Sequence, residues 1–79
     1  MNNKNKLFKI VAEVFEVRIS VININSNSNN VKNWDSLGMI NLISEIEQEF
    51  SIKFDIFEIP ELQNIQIIIE FLEKKGIKF

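Results

Sequence analysis

The 79-residue chain carries 9 Lys plus Arg against 11 Asp plus Glu, a formal charge of −2, and has no His and no Cys. A chain of this size has room for one small core, with about 60% of its unfolded surface buried. The missing residue types exclude disulfides, a thiol nucleophile, thiolate zinc sites and histidine general-base chemistry, and the slightly acidic balance offers no footprint for nucleic acid.

In chain order, the opening Met1-Asn2-Asn3-Lys4-Asn5-Lys6 is polar, and the apolar stretch after it is broken by Lys9, Glu13 and Glu16. No export signal and no stable membrane insertion are expected, which makes the cytoplasm the default location. From Leu7 to Arg18 the residues Leu7, Val11, Val14 and Phe15 recur at helical spacing and predict a first amphipathic helix. The following Ile19-Ser20-Val21-Ile22-Asn23-Ile24-Asn25 alternates like a strand but has no pairing candidate. It reads as an extended loop that pins Val21 or Ile24 to the core. Asn25-Ser26-Asn27-Ser28-Asn29-Asn30 contains no apolar residue and is expected to be solvated and mobile.

Asp35-Ser36 is good N-cap chemistry for a second helix, whose stripe of Met39, Leu42, Ile43, Ile46 and Phe50 runs to about Ser51. Pro60 breaks the apolar segment from Ile52 to Ile59, so one short helical turn ahead of the proline is expected there. A last helix, capped by Asn64, carries Ile65, Ile68, Ile69 and Leu72, with Lys74 and Lys75 at its end and Gly76 as a stop. The sum is an all-α fold with three long helices and one short one, in a single domain spanning residues 1–79. Phe8, Ile10, Ile56, Ile67 and Phe71 exceed one stripe per helix; they either fill a small core or line a cavity.

With His and Cys absent, a functional side chain has to be a hydroxyl, a carboxylate, an amine or the indole. Trp34-Asp35-Ser36-Leu37 lies where the polar loop meets the second helix. A serine there has an exposed hydroxyl beside free N–H groups and the positive end of the helix dipole, a setting suited to a phosphate ester. The plainer alternative is that Asp35 or Ser36 only caps the helix. Ser36 has no histidine to activate it, so no catalytic residue is expected, and no metal site either.

These residues resemble the acyl carrier protein family, whose signature is Asp-Ser-Leu at the start of the second of four helices. Here it stands as Asp35-Ser36-Leu37, followed by Ile40, Leu42, Ile43, Ile46 and Glu47-Gln48-Glu49-Phe50. The likeness continues through Phe54, the region from Asp55 to Glu61, Leu62 and the segment from Ile65 to Leu72, with Phe15-Glu16-Val17 upstream. It implies a small four-helix bundle in which Ser36 bears a 4′-phosphopantetheine arm. Asp35 helps present Ser36 and assists the metal ion of a separate phosphopantetheinyl transferase. The arm's thiol holds an acyl group as a thioester, supplying the sulfur that this chain lacks. The implied partners are that transferase and acyl-loading, acyl-modifying and acyl-transferring enzymes, with no nucleic acid, and a monomer is expected.

Leu37 and Ile40 flank the arm and contact partners or pack at the edge of the core. Glu45, Glu47 and Glu49 either dock to a basic patch on a client enzyme or form a solvated face. Asn33 and Trp34 stand where the family often has glycine and a small residue, Asn41 where an acid is common, and Ser44 where Met is common. These departures lie on the surface that partner enzymes read and point away from primary fatty-acid synthesis to specialised pathways, within the fatty-acid, polyketide or specialised acyl-transfer range that the resemblance implies. Two alternatives remain open: an aminoacyl or peptidyl carrier of D-alanyl or nonribosomal-peptide type, and an unmodified helical interaction module in which Ser36 is only a cap. A helix-turn-helix DNA binder fits worst, because the second helix carries glutamates where phosphates would lie. The small net charge hides a pattern: residues 1–32 sum to +3, residues 33–73 to −8 and the tail to +3.

Overall fold

The computed structural model describes residues 2–79; Met1 of the polar opening lies outside the described residues. Three α-helices form: α1 (Asn3–Phe15), α2 (Ser36–Phe50) and α3 (Ile65–Lys74). Two three-residue 3₁₀ turns, Ile19–Val21 and Ile59–Glu61, lie between them. Among the described residues there is no strand, only an isolated pairing of Asn27 with Asn64. The all-α expectation holds, while the expected fourth helix is a single turn.

That turn also sits elsewhere than expected. It contains Pro60 instead of preceding it, because the first turn of a helix needs no N–H from its early residues and tolerates proline there.

The first helix begins four residues ahead of its apolar stripe, since the Asn2 side chain accepts from the Asn5 N–H at 2.8 Å and starts the first turn. It stops at Phe15, short of the expected Arg18. Glu16 takes a left-handed conformation (φ 58°), and its N–H returns to the carbonyls of Ala12 and Glu13. The next segment turns as 3₁₀ rather than running extended, which rotates the chain so that Ile22 is buried. Val21 and Ile24, the expected anchors, stay exposed.

The Asn-rich run is solvated as expected at Asn25 and Ser28–Asn30, which are exposed, and local hydrogen bonds also give it a defined turn conformation. Asn23 and Asn27 accept from the N–H groups of Asn25 and Asn29 at 2.8 and 2.7 Å, and Asn30 accepts from Asn27 N–H at 2.9 Å. Ser26 is fully buried, its Oγ accepting from Asn23 N–H at 2.9 Å. The carbonyls of Ser26 and Ile24 then accept from Ile65 and Gln66 N–H at 3.1 and 3.2 Å. With Asn64 Oδ1 accepting from Ile67 N–H at 2.8 Å, the loop and the cap together satisfy the free donors at the start of α3.

Leu7, Val11 and Phe15 from α1, Leu42 and Ile46 from α2, and Ile65, Ile68 and Leu72 from α3 form the fully buried centre. Phe8, Ile10, Ile67 and Phe71 pack partly buried against it, whereas Ile56 does not and is exposed. Between α2 and α3, the turn from Asp55 to Glu58 is braced by Asp55 N–H donating to Glu58 Oε1 at 2.7 Å and by Lys75 Nζ donating to the same oxygen at 2.9 Å. The backbone bond and then the Lys75 ammonium hold the Glu58 carboxyl below its ordinary pKa.

A depressed folded pKa stabilises the protein above the unfolded value, and that contribution fades as pH falls through the folded one. Stability is therefore expected to decline below about pH 5, with Glu58→Gln giving a flatter acid limb in urea melts taken across that range. An acid limb of unchanged steepness in the variant would contradict the assignment.

Candidate functional site

The end of α1, the Val31–Asp35 segment and the first turn of α2 meet at one corner of the molecule. Phe15 is fully buried there, and its ring stacks on Trp34 with centroids 5.1 Å apart and planes 25° apart. Trp34 is thus the core anchor its type suggests. Asn33 adopts a left-handed backbone (φ 70°), and its Nδ2 donates to the Phe15 carbonyl at 2.8 Å, tying the approach of α2 to the terminus of α1. Gly38, in the first turn of α2, lies directly over this corner. A Cβ there would overlap the Asn33 carbonyl oxygen and come within 2.7 Å of Phe15 Cε1.

Asp35 is the N-cap: its Oδ1 accepts from Gly38 N–H at 2.8 Å and its carbonyl accepts from Met39 N–H at 2.8 Å. Such a cap contributes about 1 kcal/mol. Ser36 is the first helical residue, exposed, and among the described residues its hydroxyl makes no hydrogen bond within the protein. Of the two cap candidates only Asp35 caps, and the Ser36 oxygen has no structural task. The N–H groups of Ser36 and Leu37 precede the first intrahelical bond and point out of the helix end.

Beside Ser36 opens a groove of about 960 Å³. One wall is the face of α2 carrying Ser36, Ile40, Ser44 and Glu47, with Met39 and Ile43 at its base. The opposite wall is Asn27–Asn29 with Ile59, Pro60, Leu62, Gln63 and Asn64, so the Asn-rich loop and the Pro60 turn both shape it. Helical spacing gives the first wall but not the second, nor Gly38, nor the left-handed turn by which Asn33 ties the site to α1.

The three glutamates singled out in sequence have different neighbours. Glu47 shares the Ser36 face, but its Oε2 accepts from Phe54 N–H at 2.8 Å and anchors the chain leaving α2. Glu49 faces α1, 3.7 Å from Lys6. Glu45 lines a shallow depression with Ile10, Glu13 and Val14 of α1. Leu37 and Ile40 are 70% and 65% exposed next to Ser36, so solvent contact, not core-edge packing, describes them.

The family described as "Phosphopantetheine attachment site" matches residues 5–72 of the chain. Among curated relatives, the chain is 29% identical over 79 residues to the acyl carrier protein of Buchnera aphidicola subsp. Schizaphis graminum (strain Sg), covering 99% of this chain and 100% of that protein. It is 27% identical over 77 residues to the acyl carrier protein of Buchnera aphidicola subsp. Acyrthosiphon pisum (strain Tuc7), covering 98% and 96%.

Proposed function

Because the chain belongs to the phosphopantetheine attachment-site family of acyl carrier proteins, we propose that Ser36 is the residue that bears the arm. As a member of that family the chain is a carrier and not an enzyme, and its cofactor is 4′-phosphopantetheine. The observation that carries the assignment to Ser36 is the division of labour at the start of α2. Asp35 supplies the cap, and Ser36 keeps a free, exposed hydroxyl at the helix N-terminus. An interaction module that needed Ser36 as its cap loses its premise.

The residues present suit the group. The unpaired N–H groups of Ser36 and Leu37 and the positive end of α2 favour the negative charge of a phosphodiester on Ser36 Oγ. Asp35 spends its carboxylate on Gly38 N–H, which fixes the direction in which Ser36 leaves the loop. Met39, Ile40 and Ile43 offer apolar surface along the groove, and Asn29, Gln63 and Asn64 offer polar surface on the other side. When attached, the arm supplies a thiol that holds the acyl group as a thioester.

Ser36 so placed is served by a phosphopantetheinyl transferase and by acyl-loading, acyl-modifying and acyl-transferring enzymes. We read residues 1–79 as one acyl-carrier domain, monomeric and cytoplasmic, working in a fatty-acid, polyketide or specialised acyl-transfer pathway. One core shared by all three helices supports the single domain. Among the described residues no helix is long and apolar enough to cross a membrane.

Co-expression with a broad-specificity phosphopantetheinyl transferase tests the assignment. The wild-type mass is expected to rise by one phosphopantetheine. Ser36→Ala is expected to show no addition while its urea midpoint reports a stability change within about 0.5 kcal/mol, since the cap is elsewhere. An addition that persists in Ser36→Ala would overturn it.

A further inference from the structure

Asn33 joins the end of α1 to the start of α2 through two separate groups. Its Nδ2 donates to the Phe15 carbonyl at 2.8 Å, and that carbonyl lies in the last turn of α1, beyond the reach of the helix's own N–H groups. Its own carbonyl accepts from Asp35 N–H at 2.9 Å and occupies the space that a side chain at Gly38 would need. Asp35 in turn accepts from Gly38 N–H through Oδ1 and from Met39 N–H through its carbonyl, both at 2.8 Å. A line of hydrogen bonds therefore runs from the α1 terminus through Asn33 to Asp35, and Ser36 is the next residue. The left-handed backbone of Asn33 (φ 70°) is one that glycine adopts readily, and glycine would supply the turn without the side-chain bond. The amide thus adds a tie that the turn itself does not require.

We propose that Asn33 is a positioning residue for arm transfer: its bond to the Phe15 carbonyl fixes the direction in which the Ser36 hydroxyl is offered to the transferase. This rests on Ser36 being the attachment point. Among the described residues the hydroxyl makes no hydrogen bond within the protein, so its placement comes from the backbone that carries it. The Phe15–Trp34 stack holds this segment against the core, but only the Asn33 bond is directional and acts two residues ahead of the serine. The demand on direction is steep, because a misplacement of about 1 Å at a reacting group costs on the order of 100-fold in rate.

The test measures kcat and KM separately for arm transfer to the apo chain by a broad-specificity phosphopantetheinyl transferase, on protein shown to be folded by circular dichroism. Asn33→Gly keeps the left-handed backbone and removes the bond. Asn33→Asp keeps the size of the side chain and sets a carboxylate oxygen, with nothing to donate, against the Phe15 carbonyl. Both variants are expected to lower kcat about fivefold or more and to leave KM within about twofold, because the surface that meets the enzyme is unchanged while the hydroxyl is offered in more than one direction. A residue that served stability alone would lower the urea midpoint and leave the kcat of the folded protein at the wild-type value.

The same tie predicts a coupling with Gly38. The Asn33 carbonyl obstructs a methyl there because its residue is held in place, and in Asn33→Gly it is free to yield. Gly38→Ala is therefore expected to lower the urea midpoint less in the Asn33→Gly background than in wild type.

A wild-type kcat in both Asn33 variants, or a raised KM with kcat unchanged, would overturn the proposal, as would a Gly38→Ala shift no smaller in the Asn33→Gly background. A wild-type chain that accepts no arm at all would instead overturn the assignment of Ser36, and this proposal with it.

Discussion

Phe15→Ala is expected to cost about 3–5 kcal/mol, the range for emptying a fully buried phenylalanine position. A chain of this length has a total stability of about 4–12 kcal/mol, so the variant should be partly unfolded at 25 °C or melt at a much lower urea concentration. The size of the effect follows from where the ring sits. It has no exposed surface, it stacks on Trp34 at 5.1 Å, and it supports the first turn of α2 from below through its approach to Gly38. Removing it opens a cavity beneath Asp35 and Ser36 instead of at a distant point in the core.

Trp34 is the only tryptophan, so its fluorescence reads this contact directly. The emission of the variant should shift toward that of solvated indole at denaturant concentrations where wild type is native. Phe57→Ala serves as the contrast. That ring is 84% exposed, and its loss should fall within about 0.5 kcal/mol. A Phe15→Ala loss below about 1 kcal/mol would mean that α1 does not brace the site as described.

Gly38→Ala should destabilise by about 1–3 kcal/mol, the usual cost of overpacking, although glycine to alanine inside a helix ordinarily gains up to about 1 kcal/mol. The reversed sign is what makes the experiment informative. The added methyl would meet the Asn33 carbonyl and the Phe15 ring, and the carbonyl cannot simply move. Asn33 is held in its left-handed conformation by the bond from its side chain to the Phe15 carbonyl, and its own carbonyl accepts from Asp35 N–H at 2.9 Å.

Relief therefore shifts Asn33 through Asp35, and Ser36 with them. Arm transfer to Ser36 should slow beyond what the folded fraction explains. Urea melts combined with transfer rates measured on the folded protein check both parts. An alanine variant as stable as wild type, or more so, would contradict the close approach.

The helix that carries Ser36 was the most legible part of the chain. Asp35, the stripe from Met39 to Phe50 and the charged faces give its start, its buried side and its end, and Asn64 and Gly76 do the same for α3. These signals are local, since a cap and a period of 3.6 depend on neighbours within one or two turns. What stayed hidden depends on partners far along the chain. Nothing in Asn25–Asn30 announces that the carbonyls of Ile24 and Ser26 will meet N–H groups of residues 65 and 66, so a polar run that reads as solvated becomes the cap of a distant helix and a wall of the groove.

Glu47 reads as a surface charge, while its bond to Phe54 forms only after the chain reverses beyond Ser51. The end of α1 falls three residues before the predicted Arg18 for a related reason. Glu16 adopts the left-handed turn that usually advertises itself with glycine, and the non-glycine residue gave no signal. The proposed attachment serine and the α2 face beside it, Leu37 and Ile40 included, are legible from local spacing, whereas the wall formed by Asn27–Asn29 and the Pro60 turn is not.

The most direct measurement is the mass of the protein purified from its native cells, intact and after proteolysis. The expected result is an intact mass raised by one phosphopantetheine, with or without an acyl group, and the whole addition on the peptide that contains Ser36. An intact protein of unmodified mass that also takes no arm from a phosphopantetheinyl transferase, or an addition on any peptide without Ser36, would contradict it.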